Sequence, residues 1–188
     1  MMKKSILMLF IILLLTGLAC QLPFQLKKQA PASSTQFSIE AAETVDTLLD
    51  EIENQSGQFA FTITEEELTS YLTLKSAETQ DDFIFDNIQT TLDDDKILIS
   101  GDLYSNKFGI QVPAELTITA QIDATGKLNF TLESVNLGKI TLSDSIEETI
   151  STTVNELLTN NITNHMVGVS IDTIYIDNGM LTVSGNKY

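Results

Sequence analysis

The sequence predicts an α+β domain in which a long twisted, mostly antiparallel sheet wraps around a long amphipathic helix. Three observations predict it. Every even-numbered residue over 108–122 is apolar, while those between are Gly, Gln, Pro, Glu, Thr, Thr and Gln. Period-two alternation marks a strand with one buried and one wet face. Fifteen such residues at roughly 3.3 Å each span on the order of 50 Å, far beyond an ordinary strand. Residues 144–165 carry Ile146, Ile150, Val154, Leu157, Leu158 and Ile162 as an apolar stripe at helical spacing, over about 33 Å. Turn signals at 93–95 (DDD), 123–126 (DATG) and 177–179 (DNG) separate the shorter alternating runs, as hairpins require.

The chain has 188 residues and a formal net charge of -16, with ten lysines, no arginine and no tryptophan. That length can bury a sizeable core as one domain. The acidic surface repels phosphate backbones, which argues against a nucleic-acid partner. It also argues against the folded body lying on an anionic bilayer by charge alone.

The chain opens MMKKSILMLFIILLLTGLAC. Lys3 and Lys4 form a positive n-region, residues 5–15 an apolar core, and small residues with a cysteine follow. The segment is short for a membrane span and reads as a secretory signal over 1–19. TGLAC resembles the bacterial lipobox, which implies that Cys20 becomes the lipidated N-terminus, with Gly17 where a leucine is usual. The other readings are a plain signal peptide or an uncleaved anchor. Cys20 is the only cysteine, so no intramolecular disulfide can form. Residues 20–36 hold two of the three prolines and read as a lipidated tether of at most about 55 Å. Residues 37–188 then form the single α+β domain.

Along that domain, Ser38 caps a helix to about Asn54, with Ala41, Ala42, Val45, Leu48, Leu49 and Ile52 inward. Residues 58–63 alternate as a strand. Thr64 and Glu67 make a capping box for a short helix to about Leu74. Residues 83–92 and 97–104 form a hairpin. Pro113, inside the long strand, calls for a bulge or an exposed edge there. After the DATG turn, Leu128, Phe130 and Leu132 give way to Val135 and Leu137, a change of parity that predicts a bulge. Residues 169–176 show another, and the DNG turn then leads into a last strand that closes the sheet. DDDKILISGDLY at 93–104 echoes DNGMLTVSGNKY at 177–188, which shared turn chemistry accounts for.

Catalysis needs a nucleophile with a base, a metal cluster or a poised acid pair. This chain has one histidine and neither a phosphate-binding glycine loop nor a GxSxG elbow. No enzyme is expected, and neither a metal nor a cofactor. His165 reads as the polar end of an apolar helix face. The triple aspartate at 93–95 could offer oxygen ligands to Ca²⁺, but without EF-hand spacing it reads as a solvated turn. Glu65, Glu66 and Glu67 are explained by helix capping.

TITEEELTSYL at 62–72 resembles the strand-then-helix opening of the YpmS family and of the LmeA-like phospholipid-binding family. GKLNFTLESVNLGKITLSDSIEETISTTVNELL at 126–158 resembles their later block, and VSIDTIYIDNGMLTVSG their closing hairpin. Ser143 stands where that block often has proline, and Ser70 near an expected Asn or Ala. The resemblance implies a tubular lipid-binding-like fold that holds a phospholipid or another apolar molecule between sheet and helix. It supplies no catalytic residues.

Residues and resemblance together imply a membrane-anchored, extracytoplasmic bacterial lipoprotein with a phospholipid or fatty acid as its ligand. Phe108, Ile110, Val112, Leu116, Ile118, Phe130, Ile150, Val154 and Leu157 would line the site. The alternative is a non-catalytic structural or interaction lipoprotein with a filled core. Core and groove residues look alike in sequence. The anchor is tested by Cys20→Ala, which is expected to abolish metabolic labelling with a fatty acid. Unchanged labelling of the variant would remove Cys20 as the acylated residue.

Overall fold

The computed structural model describes residues 37–78, 84–105, 109–138, 148–152, 158 and 162–188. The signal segment, Cys20 and the tether to residue 36 lie outside them. The first helix, α1 (Ile39–Asn54), starts where its cap dictates: Ser38 is extended, and its side chain accepts from the Ala41 N–H at 3.2 Å. Ala42, Val45, Leu49 and Ile52 are its buried stripe. Strand β1 (Gly57–Thr64) runs directly into α2 (Glu65–Glu78) through the expected capping box. The Glu67 carboxylate accepts from the Thr64 N–H at 2.8 Å, and the Thr64 hydroxyl accepts from the Glu67 N–H at 3.3 Å. The helix runs four residues past its expected end at Leu74.

Two antiparallel sheets follow, where the sequence suggested one. Strands β2 (Ile84–Asp93), β3 (Lys96–Ser105), β4 (Ile110–Ile122) and β5 (Leu128–Asn136) form a four-stranded meander. Strands β6 (Val169–Asp177) and β7 (Met180–Lys187) join β1 in a second sheet of order β1-β7-β6. The expected single sheet wrapped around one long helix is therefore corrected. The closing strand β7 pairs with β1, over Gly57↔Lys187 to Thr64↔Met180, and not with the meander. Between the sheets, residues 148–152 begin a third helical stretch, and a 3-10 turn, Thr163–Met166, leads to β6. The rest of the expected helix 144–165 lies largely outside the described residues.

The long strand is 13 residues, Ile110–Ile122, rather than fifteen. Pro113 pairs with Asp102 of β3, but β5 reaches β4 only at Glu115↔Asn136. The proline thus sits where β4 is locally an edge, so its missing N–H costs no ladder bond. The parity change in β5 is a bulge at Glu133, between the pairs Thr117↔Ser134 and Ile118↔Leu132. That in β6 is a bulge between Ile171 and Thr173.

The two echoing segments share more than a turn. Asp94 and Asp95, and Asn178 and Gly179, all have positive φ, as two-residue turns of the hairpin-favouring kind require. Gly101 lies five residues after Lys96, and Gly185 five after Met180; each faces a bulge in the partner strand. A Cβ on Gly101 would lie 2.6 Å from the Asp86 carbonyl oxygen, and one on Gly185 would run into the Ser170 carbonyl. Both Ser-Gly pairs thus stand opposite a bulge.

Strand edges expose unpaired backbone groups that must find partners when buried. At the β2 edge they find them on α2. The Glu65 carboxylate accepts from the Leu92 N–H at 2.8 Å, and the Thr69 hydroxyl from the Thr90 N–H at 3.0 Å. The Ser76 hydroxyl donates to the Phe85 carbonyl at 2.7 Å and accepts from the Phe85 N–H at 3.2 Å. Residues 65, 69 and 76 recur at helical spacing on one face. The β6 edge is met by hairpin turns of the other sheet: the Ile171 N–H donates to the Gly126 carbonyl at 2.7 Å. The Gly179 N–H donates to the Leu92 carbonyl at 3.2 Å, tying the second hairpin turn to β2. Gly126 has φ +78, a left-handed conformation that favours glycine in this approach.

Two threonines separate the edge contact from simple burial. Thr69→Val keeps the shape but leaves the Thr90 N–H unpaired, and is expected to cost about 1–3 kcal/mol. Thr90 is itself buried, and its hydroxyl has no partner among the described residues. Thr90→Val is therefore expected to be neutral or stabilising. Urea unfolding of both variants checks the pair; equal losses would contradict the edge account.

Candidate functional site

The inner face of the meander gathers the residues that the sequence singled out. Val112, Leu116 and Ile118 stand on β4, with 8%, 2% and 0% exposure; Phe130 on β5 is 4% exposed and Ile150 1%. All five belong to one hydrophobic core that also takes Leu158, Ile162 and the inward residues of β1, β6 and β7. Phe108, Val154 and Leu157 lie outside the described residues, as does the lipidation site Cys20. Ile110 opens β4.

Register explains how the five meet. Leu116 lies between Ile99 and Val135, and Ile118 between Ile97 and Leu132. Phe130 faces the small Ala120. These rows of branched and aromatic side chains are the units of sheet stabilisation. The bulge at Glu133 returns Val135 to the inner face, and Leu137 is buried beyond it. The outer face carries Thr91, Ser100, Glu115, Thr117, Ser134 and Asn136 along a shallow depression.

At the β4–β5 turn a pocket of about 350 Å³ opens between the meander and the start of β6. Its apolar lining is Leu128, Met166, Val167, Val169 and Ile171; Lys127 and Asn129 stand among its polar groups. Sequence reasoning missed it, because its walls come from a turn, a 3-10 turn and an edge strand far apart in the chain. The only local signals are Gly126 and Gly168, both at positive φ. Asp123 shapes this turn. Its Oδ1 accepts from the Thr125 hydroxyl at 2.6 Å, the Thr125 N–H at 2.7 Å and the Lys127 N–H at 3.0 Å. These bonds, the hydroxyl first, hold the Asp123 carboxyl below the usual range.

Other titratable groups sit where packing explains them. Tyr71 is fully buried, and burial followed by the charges of Asp46, Glu78 and Asp50 keeps its phenol protonated well above the usual range. Lys75 lies 5.4 Å from the Tyr71 ring centroid and 3.1 Å from Asp46. Ser70, also buried, accepts from the Ser38 N–H at 3.1 Å, joining α2 to the start of α1. The triple aspartate forms the β2–β3 turn, with Asp95 Oδ1 3.5 Å from the Ile176 N–H. His165 lies within the 3-10 turn, with Nδ1 3.1 Å from a Glu53 oxygen.

No protein-family model matches this chain, and no curated protein matches it. Among the described residues no helix is long and apolar enough to cross a membrane.

A depressed Asp123 carries a sign. Its bonds favour the charged form, so their stabilisation is present above the unfolded carboxylate pKa of about 3.9. It fades as pH falls through the lower folded value. An NMR titration is expected to give Asp123 a pKa below about 3.9. A midpoint at or above that value would contradict the turn geometry.

Proposed function

We propose that this chain is a membrane-anchored, extracytoplasmic lipoprotein whose domain has a filled core and acts by non-catalytic interaction at its surface. One observation carries the choice: the five described residues expected to line an apolar groove are 0–8% exposed. An open acyl groove leaves such side chains in contact with solvent or ligand, whereas a close-packed core does not. The acidic balance supports a solvated outer surface. The lipobox-like TGLAC supports attachment through Cys20.

A second reading keeps a lipid or another apolar molecule between sheet and helix, as the resemblance to the YpmS and LmeA-like families suggests. The pocket at the β4–β5 turn favours it, since Leu128 and Met166 line the pocket and also belong to the core. Its size falls at the lower end of small-molecule sites.

Ile118 separates the two. In a filled core Ile118→Ala costs about 2–5 kcal/mol. The parent is then expected to bind no fluorescent fatty acid and to carry no lipid in native mass spectrometry. A small stability loss, with saturable fatty-acid binding by the parent that the variant weakens, would establish the lipid reading instead.

A further inference from the structure

Asp50 and Glu53 stand one turn apart on α1, so their carboxylates leave the same face of the helix. The chain's single histidine comes to that face across 112 residues of sequence. His165 Nδ1 lies 3.1 Å from Glu53 Oε2 and 3.8 Å from Asp50 Oδ1. One donor atom from each of the three side chains lies within 4.8 Å of the others. We infer that Asp50, Glu53 and His165 form a binding site for a divalent transition-metal ion of the zinc class.

The spacing fits such an ion. Bonds of about 2.0–2.2 Å to nitrogen and oxygen place neighbouring ligands about 3.0–3.5 Å apart. The His165–Glu53 separation already falls there, and the Asp50 oxygen, 3.8 Å from Nδ1 and within 4.8 Å of the Glu53 oxygen, closes on both by rotation of its exposed side chain. The donor set selects the metal: imidazole suits zinc, copper, iron and nickel, whereas Ca²⁺ and Mg²⁺ favour oxygen-only shells. Three protein ligands leave coordination positions for water or a ligand. The side chains are 31%, 67% and 54% exposed for His165, Asp50 and Glu53, so an ion enters without unfolding. Lys75, on the neighbouring helix, is engaged with Asp46 at 3.1 Å. The net charge of -16 further concentrates cations at the surface.

Without a metal, His165 and the two exposed carboxylates make only a surface contact of little stabilising weight. A metal ion engages the imidazole and both carboxylates at once. It also links the last turn of α1 to the 3-10 turn that precedes β6, two segments far apart in the chain. Binding to the folded state alone raises its melting temperature by mass action.

The test uses the untagged full chain in detergent, stripped with a chelator. Calorimetric titration with Zn²⁺ is expected to give one ion per chain, and thermal melts followed by circular dichroism a chelator-reversible rise in Tm. Equal concentrations of Mg²⁺ or Ca²⁺ are expected to leave Tm unchanged. His165→Ala, Glu53→Gln and Asp50→Asn are each expected to weaken zinc binding by more than the about tenfold that even an outer-shell partner costs. All three positions are at least partly exposed, and unchanged far-ultraviolet spectra check that the variants fold. Zinc that does not bind, Ca²⁺ that shifts Tm as zinc does, or His165→Ala with parental zinc affinity would each overturn the site.

Discussion

The fold depends on how the unpaired backbone at its sheet edges is satisfied. A buried amide without a partner costs about as much as several good packing contacts contribute. Strand β2 has a neighbour on one side only, and its other side is met by α2. Glu65, Thr69 and Ser76 supply acceptors, and Ser76 also a donor, at the helical spacing that a strand edge can use. This is why α2 buries Thr69 and Ser76 as well as Leu68, Tyr71 and Leu72. A wholly apolar helix in the same place would leave the N–H groups of Phe85, Thr90 and Leu92 without partners.

The same constraint accounts for two sheets instead of one. The edge of β6 receives the β4–β5 turn at Gly126, so no further strand is needed there. Glu65 gathers three elements at one point: its side chain accepts from Leu92, its N–H donates to the Gly179 carbonyl, and it opens α2. With the β2 and β6 edges met by side chains and turns, the inner faces of both sheets share a single hydrophobic core. That closure puts Leu116 and Ile118 in packed surroundings and moves attention from an internal groove to surfaces. His165 and the β4–β5 pocket are two such surface features.

What the sequence made legible was local. The Ser38 cap, the Thr64–Glu67 box, the alternation of β4 and the bulges in β5 and β6 each follow from residues within a few positions of one another. The end of α2 beyond Leu74 was not legible, because Lys75 and Ser76 extend no apolar stripe; Ser76 instead meets the strand edge at Phe85. Sheet number was not legible either. The parity of β7 is the same whether it pairs with β5 or β1, and the β1 pairing spans over a hundred residues of chain. Val112, Leu116, Ile118, Phe130 and Ile150 lie in one hydrophobic core, but period two cannot separate a core from a groove. The convergence of His165 on Asp50 and Glu53 has no sequence signature, since only the fold brings those segments together.

Amide hydrogen exchange at the sheet edges tests the central claim most directly. With side chains and turns closing them, the Thr90, Leu92 and Ile171 amides are expected to exchange as slowly as interior strand amides such as Ile118, near the global opening limit. Exchange of those three at the rates of an open edge, with Ile118 still protected, would contradict the account.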